Sequence, residues 1–162
     1  RRLRRHDLLV RVRELRARRV DRLLLGLLQA RIQLADVLYD TANWSEAIVH
    51  YRSAIRLDPT RVTTLVDMGV CYYNLSATDS AVVLFQRALV LDPKQPVALF
   101  NLGVVAESQQ KDDEAMQYYH RAMQSNPPEQ MGQAVSEAMQ RIMKRRGQSA
   151  PPLPKGAAPG TP

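Results

Sequence analysis

Imidazole and thiol side chains, the commonest zinc ligands and ready nucleophiles, are few: His6, His50, His120 and the single Cys71. They are too dispersed over the chain's repeat geometry to share a tetrahedral site, and no paired zinc-ligand spacing is present. There is no Gly-rich phosphate loop and no Gly-x-Ser-x-Gly elbow. The neighbouring carboxylates Asp112 and Asp113, followed by Glu114, fall at a predicted helix start, where the positive end of the helix dipole accounts for them. His50 and His120 flank Tyr51 and Tyr119 and read as ordinary, partly exposed side chains. Cys71, between Val70 and Tyr72, reads as a small buried thiol, and a lone cysteine excludes an internal disulfide. The expectation is a chain that is not an enzyme and needs no cofactor and no metal. Binding is the chemistry left to it.

What would position a binding surface is a periodicity. Ala47, Ala81 and Ala115 stand 34 residues apart, as do Tyr51, Phe85 and Tyr119, then Ala54, Ala88 and Ala122, then Pro59, Pro93 and Pro127. A second set precedes each: Leu34, Met68 and Leu102; Ala35, Gly69 and Gly103; Leu38, Tyr72 and Ala106. Columns in phase over three periods do not arise from composition, and such a period means stacked units. The small residues let two helices approach closely, and the aromatic column fills the gap between neighbouring units. Each Pro lacks an N–H and drives its predecessor out of the α region, so Asp58, Asp92 and Asn126 should end their helices.

The pattern resembles the tetratricopeptide repeat, a helix-turn-helix unit, over about residues 28 to 129. The resemblance implies an all-α fold, an α-solenoid of three repeats at 28–61, 62–95 and 96–129. Helices are predicted near 28–41, 45–57, 62–75, 78–91, 96–109 and 112–125, with Ser45 as an N-cap. Trp44 matches the aromatic that often precedes the second helix, with a packing role, and Thr78 and Asp112 depart from it. Residues 130–146 read as a capping helix with Met131, Val135, Ala138, Met139 and Ile142 on one face. Lys144, Arg145 and Arg146 would complement its dipole, and Gly147 would stop it. Residues 147–162, rich in Pro and Gly, are expected to be disordered.

Residues 1–27 are predicted to form an Arg-rich lead-in helix, with Val20 through Leu28 packing on the first repeat. The net charge of +7 is not spread evenly. Residues 1–22 carry ten Arg against three acids, the stretch 23–140 is acidic, and 141–162 is again basic. Only the ends suit a polyanion. Arg1, Arg2, Arg4, Arg5, Arg11, Arg13, Arg16, Arg18, Arg19 and Arg22 fit a solvated or partner-binding face, or the cytoplasmic flank of a membrane segment lying upstream, and thus an anionic membrane surface. Nucleic acid is disfavoured, because no aromatic residues interleave the arginines for base stacking. No apolar run is long enough to span a bilayer, and the Arg and Ala/Pro usage suggests a GC-rich bacterial source.

In the family resembled here, first helices line a concave groove. Stepping through them places Ile32, Asp36, Tyr39, Asp40, Val66, Asp67, Val70, Tyr73, Asn74, Phe100, Asn101, Val104 and Glu107 on that surface. Relatives that grip the carboxylate end of chaperone peptides use Lys, Asn and Arg, where this chain has Ile32, Asp36, Asp67, Val97 and Asn101. The clamp is absent and its charge partly reversed, so an acidic tail would face Asp36, Asp40, Asp67 and Glu107 with no cation to meet it. The expected partner is an extended or helical peptide with apolar anchors and basic or neutral flanks, with Asn74 and Asn101 bonding its backbone. The reading is a non-catalytic cytoplasmic scaffold, tethered at a membrane as an assembly factor. The alternatives are an accessory subunit of a membrane complex held by its basic helix, a nucleic-acid adaptor, and self-association of the basic end with the acidic middle.

Overall fold

A computed structural model describes residues 5–147, with side chains from residue 13 onward. Arg1, Arg2, Arg4 and the Pro-rich tail beyond 147 lie outside the described residues. All the regular structure described is helical: α1 Arg5–Asp40, α2 Trp44–Leu57, α3 Val62–Asn74, α4 Thr78–Leu91, α5 Pro96–Ser108, α6 Asp112–Gln124 and α7 Glu129–Arg145. This is the all-α solenoid class of paired helices that the repeat implied. Two compact units divide it, one reaching to Leu84 and the other starting at Phe85, so α4 passes from one to the other. In the first unit α1 packs on α2 and α2 on α3; in the second α5 packs on α6 and α6 on α7.

The repeat columns are the core. Ala47, Ala81 and Ala115, Tyr51, Phe85 and Tyr119, and Ala54, Ala88 and Ala122 are all at most 1% exposed. In the second unit Tyr119 lies across the backbone of α5. A Cβ built on Gly103 would meet the Tyr119 ring, with Cδ1 at 2.6 Å, Cζ at 3.0 Å and Cε1 closer still. Glycine is therefore required there by space, because the ring occupies the volume any side chain would take. α7 closes this unit with Val135, Ala138 and Ile142, which join Leu99, Ala106, Ala115, Tyr119 and Ala122 in one cluster.

The turns inside the helix pairs share one geometry. Ala42, Ser76 and Gln110, again 34 residues apart, sit in the left-handed region with φ of 57°, 61° and 60°. Around the first of them Ala42 N–H donates to Tyr39 O and Asn43 N–H to Leu38 O. The same two bonds recur as Ser76 to Tyr73 with Ala77 to Tyr72, and as Gln110 to Glu107 with Lys111 to Ala106. This is the paired closure that satisfies the last carbonyls of a helix. None of the three is the glycine such a position favours, which is why the column was invisible to a search for turn residues.

Three expectations need correction. Ser45 is not the N-cap: Asn43 holds that place without a side-chain cap bond, and Ser45 lies inside α2. Second, Asn126 does not end its helix, because α6 stops at Gln124 with Ser125 as its C-cap; Asp58 and Asp92 do follow the last residues of α2 and α4, and their carboxylates accept the N–H of Thr60 and Lys94, each at 3.1 Å. Third, Val20, Leu23, Leu24, Leu25 and Leu27 do not pack on the first repeat; all are exposed, and only Leu28 is buried. The physical reason is continuity. α1 runs unbroken through Gly26, so nothing folds its first half back onto α2.

Gly103 and Gly26, both within helices, should therefore respond in opposite ways. Gly103→Ala is expected to destabilise the chain by about 2 kcal/mol, since the Tyr119 ring must shift. Gly26→Ala, with nothing within 4 Å, should stabilise it by up to about 1 kcal/mol through helix propensity. Urea unfolding of both variants checks this, and a similar response at both sites would contradict the close-approach account.

Candidate functional site

The first unit gathers a set of acids and aromatics from consecutive helices. α1 supplies Asp36, Tyr39 and Asp40, which lie one turn apart on one face of the helix. α3 supplies Asp67, Val70, Tyr73 and Asn74. Behind them Tyr51 of α2, 1% exposed, donates its hydroxyl to Asp36 Oδ1 at 2.8 Å. Burial, followed by that bond, raises the Tyr51 phenol well above its ordinary range, so it stays a donor and fixes the Asp36 carboxylate.

Asp67 is the most perturbed acid of this face. Burial, and after it the negative charge of Asp36, push its carboxyl up to about 6. Among the described residues no cation acts on it in the opposite sense. Burial also raises the Tyr39 phenol, with the charges of Asp67, Cys71 and Asp40 adding to it. The Tyr39 ring meets Trp44 edge-on, 5.1 Å between centroids, so the only tryptophan of the chain sits beside this face. Cys71, fully buried, is pushed up to about 12 by burial and by Asp67, which makes it a thiol rather than a nucleophile.

The apolar residues expected on this surface divide. Ile32 and Val66 are 7% and 2% exposed and belong to the core, so they are not anchors for a ligand. Each sits where its helix faces the rest of the unit, Ile32 packing with Leu28 and Ala54. Val70 and Tyr73 remain half-buried. Asn74 Nδ2 donates to Val70 O at 3.0 Å and Asn101 Nδ2 to Val97 O at 2.8 Å, so each amide bonds its own helix.

In the second unit Phe100 and Val104 are half-buried against the core cluster, and Phe100 tilts over Tyr119 at 5.8 Å. Glu107 is answered from within the unit. It accepts the Tyr119 hydroxyl at 2.8 Å and pairs with Arg141 of α7 at 3.3 Å. Arg145 pairs with Asp112, and Arg146 with Asp113 at 2.8 Å. The basic end of α7 thus serves the acids at the start of α6 as well as its own dipole. The Arg145 hydrogen bond, then its charge, holds the Asp112 carboxyl below the usual carboxylate range. The partners are 33 and 34 residues apart in sequence and meet only because α7 stacks on α6.

On α1, Arg13, Arg16, Arg18, Arg19 and Arg22 are exposed, and Arg5 and Arg11 fall within the helix. Among the described residues no helix is long and apolar enough to cross a membrane. None of their His, Cys, Asp and Glu side chains form a group of three or more able to hold a metal.

The raised carboxyl of Asp67 makes stability depend on pH in a defined sense. Its unfolded value is 3.8 and its folded value about 6. Ionisation is thus penalised only in the folded state, with no penalty below the first value and the full penalty above the second. Asp67→Asn should therefore gain stability over the parent as pH rises through this window, by about 1 to 2 kcal/mol. Urea unfolding across the window measures it, and a constant difference between the two proteins would contradict a desolvated Asp67.

In sequence, a family model described as "Tetratricopeptide repeat" matches residues 32–96 and 84–129, more than half of the chain. Among curated proteins no sequence matches. Among solved structures the chain resembles the Yersinia enterocolitica type III secretion chaperone SycD in complex with a peptide of the translocator YopD. There the identity is 20%, the TM-score 0.68, and the match covers 74% of this chain and 94% of that one. It also resembles the first repeat domain of Spaghetti (RPAP3) bound to the HSP90 peptide SRMEEVD, at 17% identity and TM-score 0.67, covering 76% and 95%. A third is PcrH in complex with the chaperone binding region of PopD, at 16% identity and TM-score 0.68, covering 74% and 92%. At these identities the likeness shows the fold. With the family model and the repeat columns together, the chain belongs to the tetratricopeptide repeat family.

Proposed function

We propose that this chain is a non-catalytic adaptor that holds a peptide segment of another protein against the first helices of its repeats. The observation that carries the reading is Asp67, a largely buried carboxylate beside a second acid, with no cation among the described residues acting on it. Such a group destabilises the free protein and becomes favourable when a ligand brings a positive charge. Asp36, held by the Tyr51 hydroxyl, and Asp40 extend the same charge. Val70 and Tyr73 of the same unit offer partly exposed apolar surface beside these acids. The ligand is thus an apolar segment with basic or neutral flanks. The solved relatives named above support a peptide ligand, since their complexes hold peptides. The SRMEEVD peptide bound by one of them ends in acids, the opposite of what Asp36 and Asp67 attract.

A second reading concerns α1. Its exposed arginines suit an anionic surface, and attachment there would bring the adaptor to a cytoplasmic membrane face. Flotation with phosphatidylserine vesicles tests it, and attachment should be lost when salt is raised to about 0.5 M.

The peptide reading is tested with one labelled apolar peptide carrying either Lys or Glu flanks, followed by Trp44 fluorescence. At neutral pH the Lys-flanked form should bind at least about ten-fold more tightly, a difference of about 1.4 kcal/mol. Asp36→Asn combined with Asp67→Asn should erase that preference. Binding of the Lys form should weaken as pH falls through about 6, where Asp67 takes up a proton. Equal binding of the Glu-flanked form would overturn the reading.

A further inference from the structure

α1 carries two apolar faces, and only one of them is used. Leu28, Ile32 and Ala35 are buried in the first unit. On another side of the same helix Val20, Leu23, Leu27, Ala30, Leu34 and Val37 follow one another at alternating steps of three and four residues. All are exposed: Leu23 by 66%, Val37 by 60%, Val20 by 54%, Leu27 by 47% and Leu34 by 45%, with Ala30 in the same class. That spacing is the seam of a two-stranded coiled coil, about 26 Å long at 1.5 Å per residue. Its ends are defined by polarity. The preceding seam positions are Arg13 and Arg16, and the following one is Thr41. Gly26 flanks the seam with nothing within 4 Å, so no side chain there holds a second helix away.

We infer that this seam is filled by α1 of a second copy, running antiparallel. Charge selects both occupant and direction. A parallel pair would set two Arg-rich segments, residues 1–22 with ten Arg each, side by side. An antiparallel pair separates them and places Arg19 of one copy near Asp40 of the other at the flanking positions, twice by symmetry. It also layers the seam without gaps. Val20 faces Val37 of the second copy, Leu23 faces Leu34, and Leu27 faces Ala30. Because the contact is mainly apolar, the dimer persists in high salt, unlike a basic helix docked on acids.

The test is sedimentation of the intact chain. At about 200 µM, in about 0.5 M salt, the mass should approach twice the 18.3 kDa of one chain. Leu27→Glu combined with Leu34→Glu should give a monomer with unchanged circular dichroism. Direction is read by oxidation: Val20→Cys mixed with Val37→Cys should cross-link, and Val20→Cys alone should not. Cys71, fully buried, stays out of the reaction. A wild-type monomer under these conditions would overturn the inference, and so would a monomer that uses the seam to bind vesicles. Cross-linking of Val20→Cys with itself would overturn the direction.

Discussion

A pair of antiparallel helices has two apolar sides and can cover only one of them by itself. Every other feature of this chain answers that constraint. Neighbouring pairs must come close enough for the leftover side to close, and closeness depends on what stands at the crossing. In the second unit the crossing is made by a ring lying on bare backbone, Tyr119 over Gly103. Around it alanines at 115 and 122 keep the helices near, and α7 supplies Val135, Ala138 and Ile142 as the final cover. Stacked repeats gain stability from such neighbour contacts more than from any unit alone.

Because packing is delegated to those columns, the outward faces of the first helices are left open to other demands. Tyrosines of the second helices reach forward to acids there: Tyr51 to Asp36 in one unit and Tyr119 to Glu107 in the other. The two acids then diverge. Glu107 is answered by Arg141, so its charge is satisfied within the protein. Asp36 stands beside Asp67, and the second acid is largely desolvated. A pair of like charges with no answering cation is a poor choice for stability alone. It becomes reasonable when a partner supplies the missing charge.

Much of this was legible in the residues. The columns at 34-residue spacing located the core, and Pro59 and Pro93 located helix ends, because burial of small and aromatic residues and the missing proline N–H are local rules. The surface was less legible. Ile32 and Val66 have the type and spacing of ligand anchors, yet face inward; a one-residue step along a helix turns a side chain by about 100°, and family-level placement does not resolve that. Glu107 and Arg141 lie 34 residues apart, so their pairing depends on how α7 stacks. The turn residues Ala42, Ser76 and Gln110 carried no glycine to reveal them. The exposed leucines of α1 were assigned to an intramolecular contact because leucine is usually buried, and only the unbroken course of the helix shows otherwise.

The central claim of the proposal is that the Asp67 carboxylate is largely desolvated, with no counter-charge among the described residues. Carbon-detected NMR titration of that side chain in the intact, free protein measures it directly. The account predicts a midpoint about 6. A midpoint near the ordinary aspartate value of about 4 would show a solvated carboxylate and contradict it.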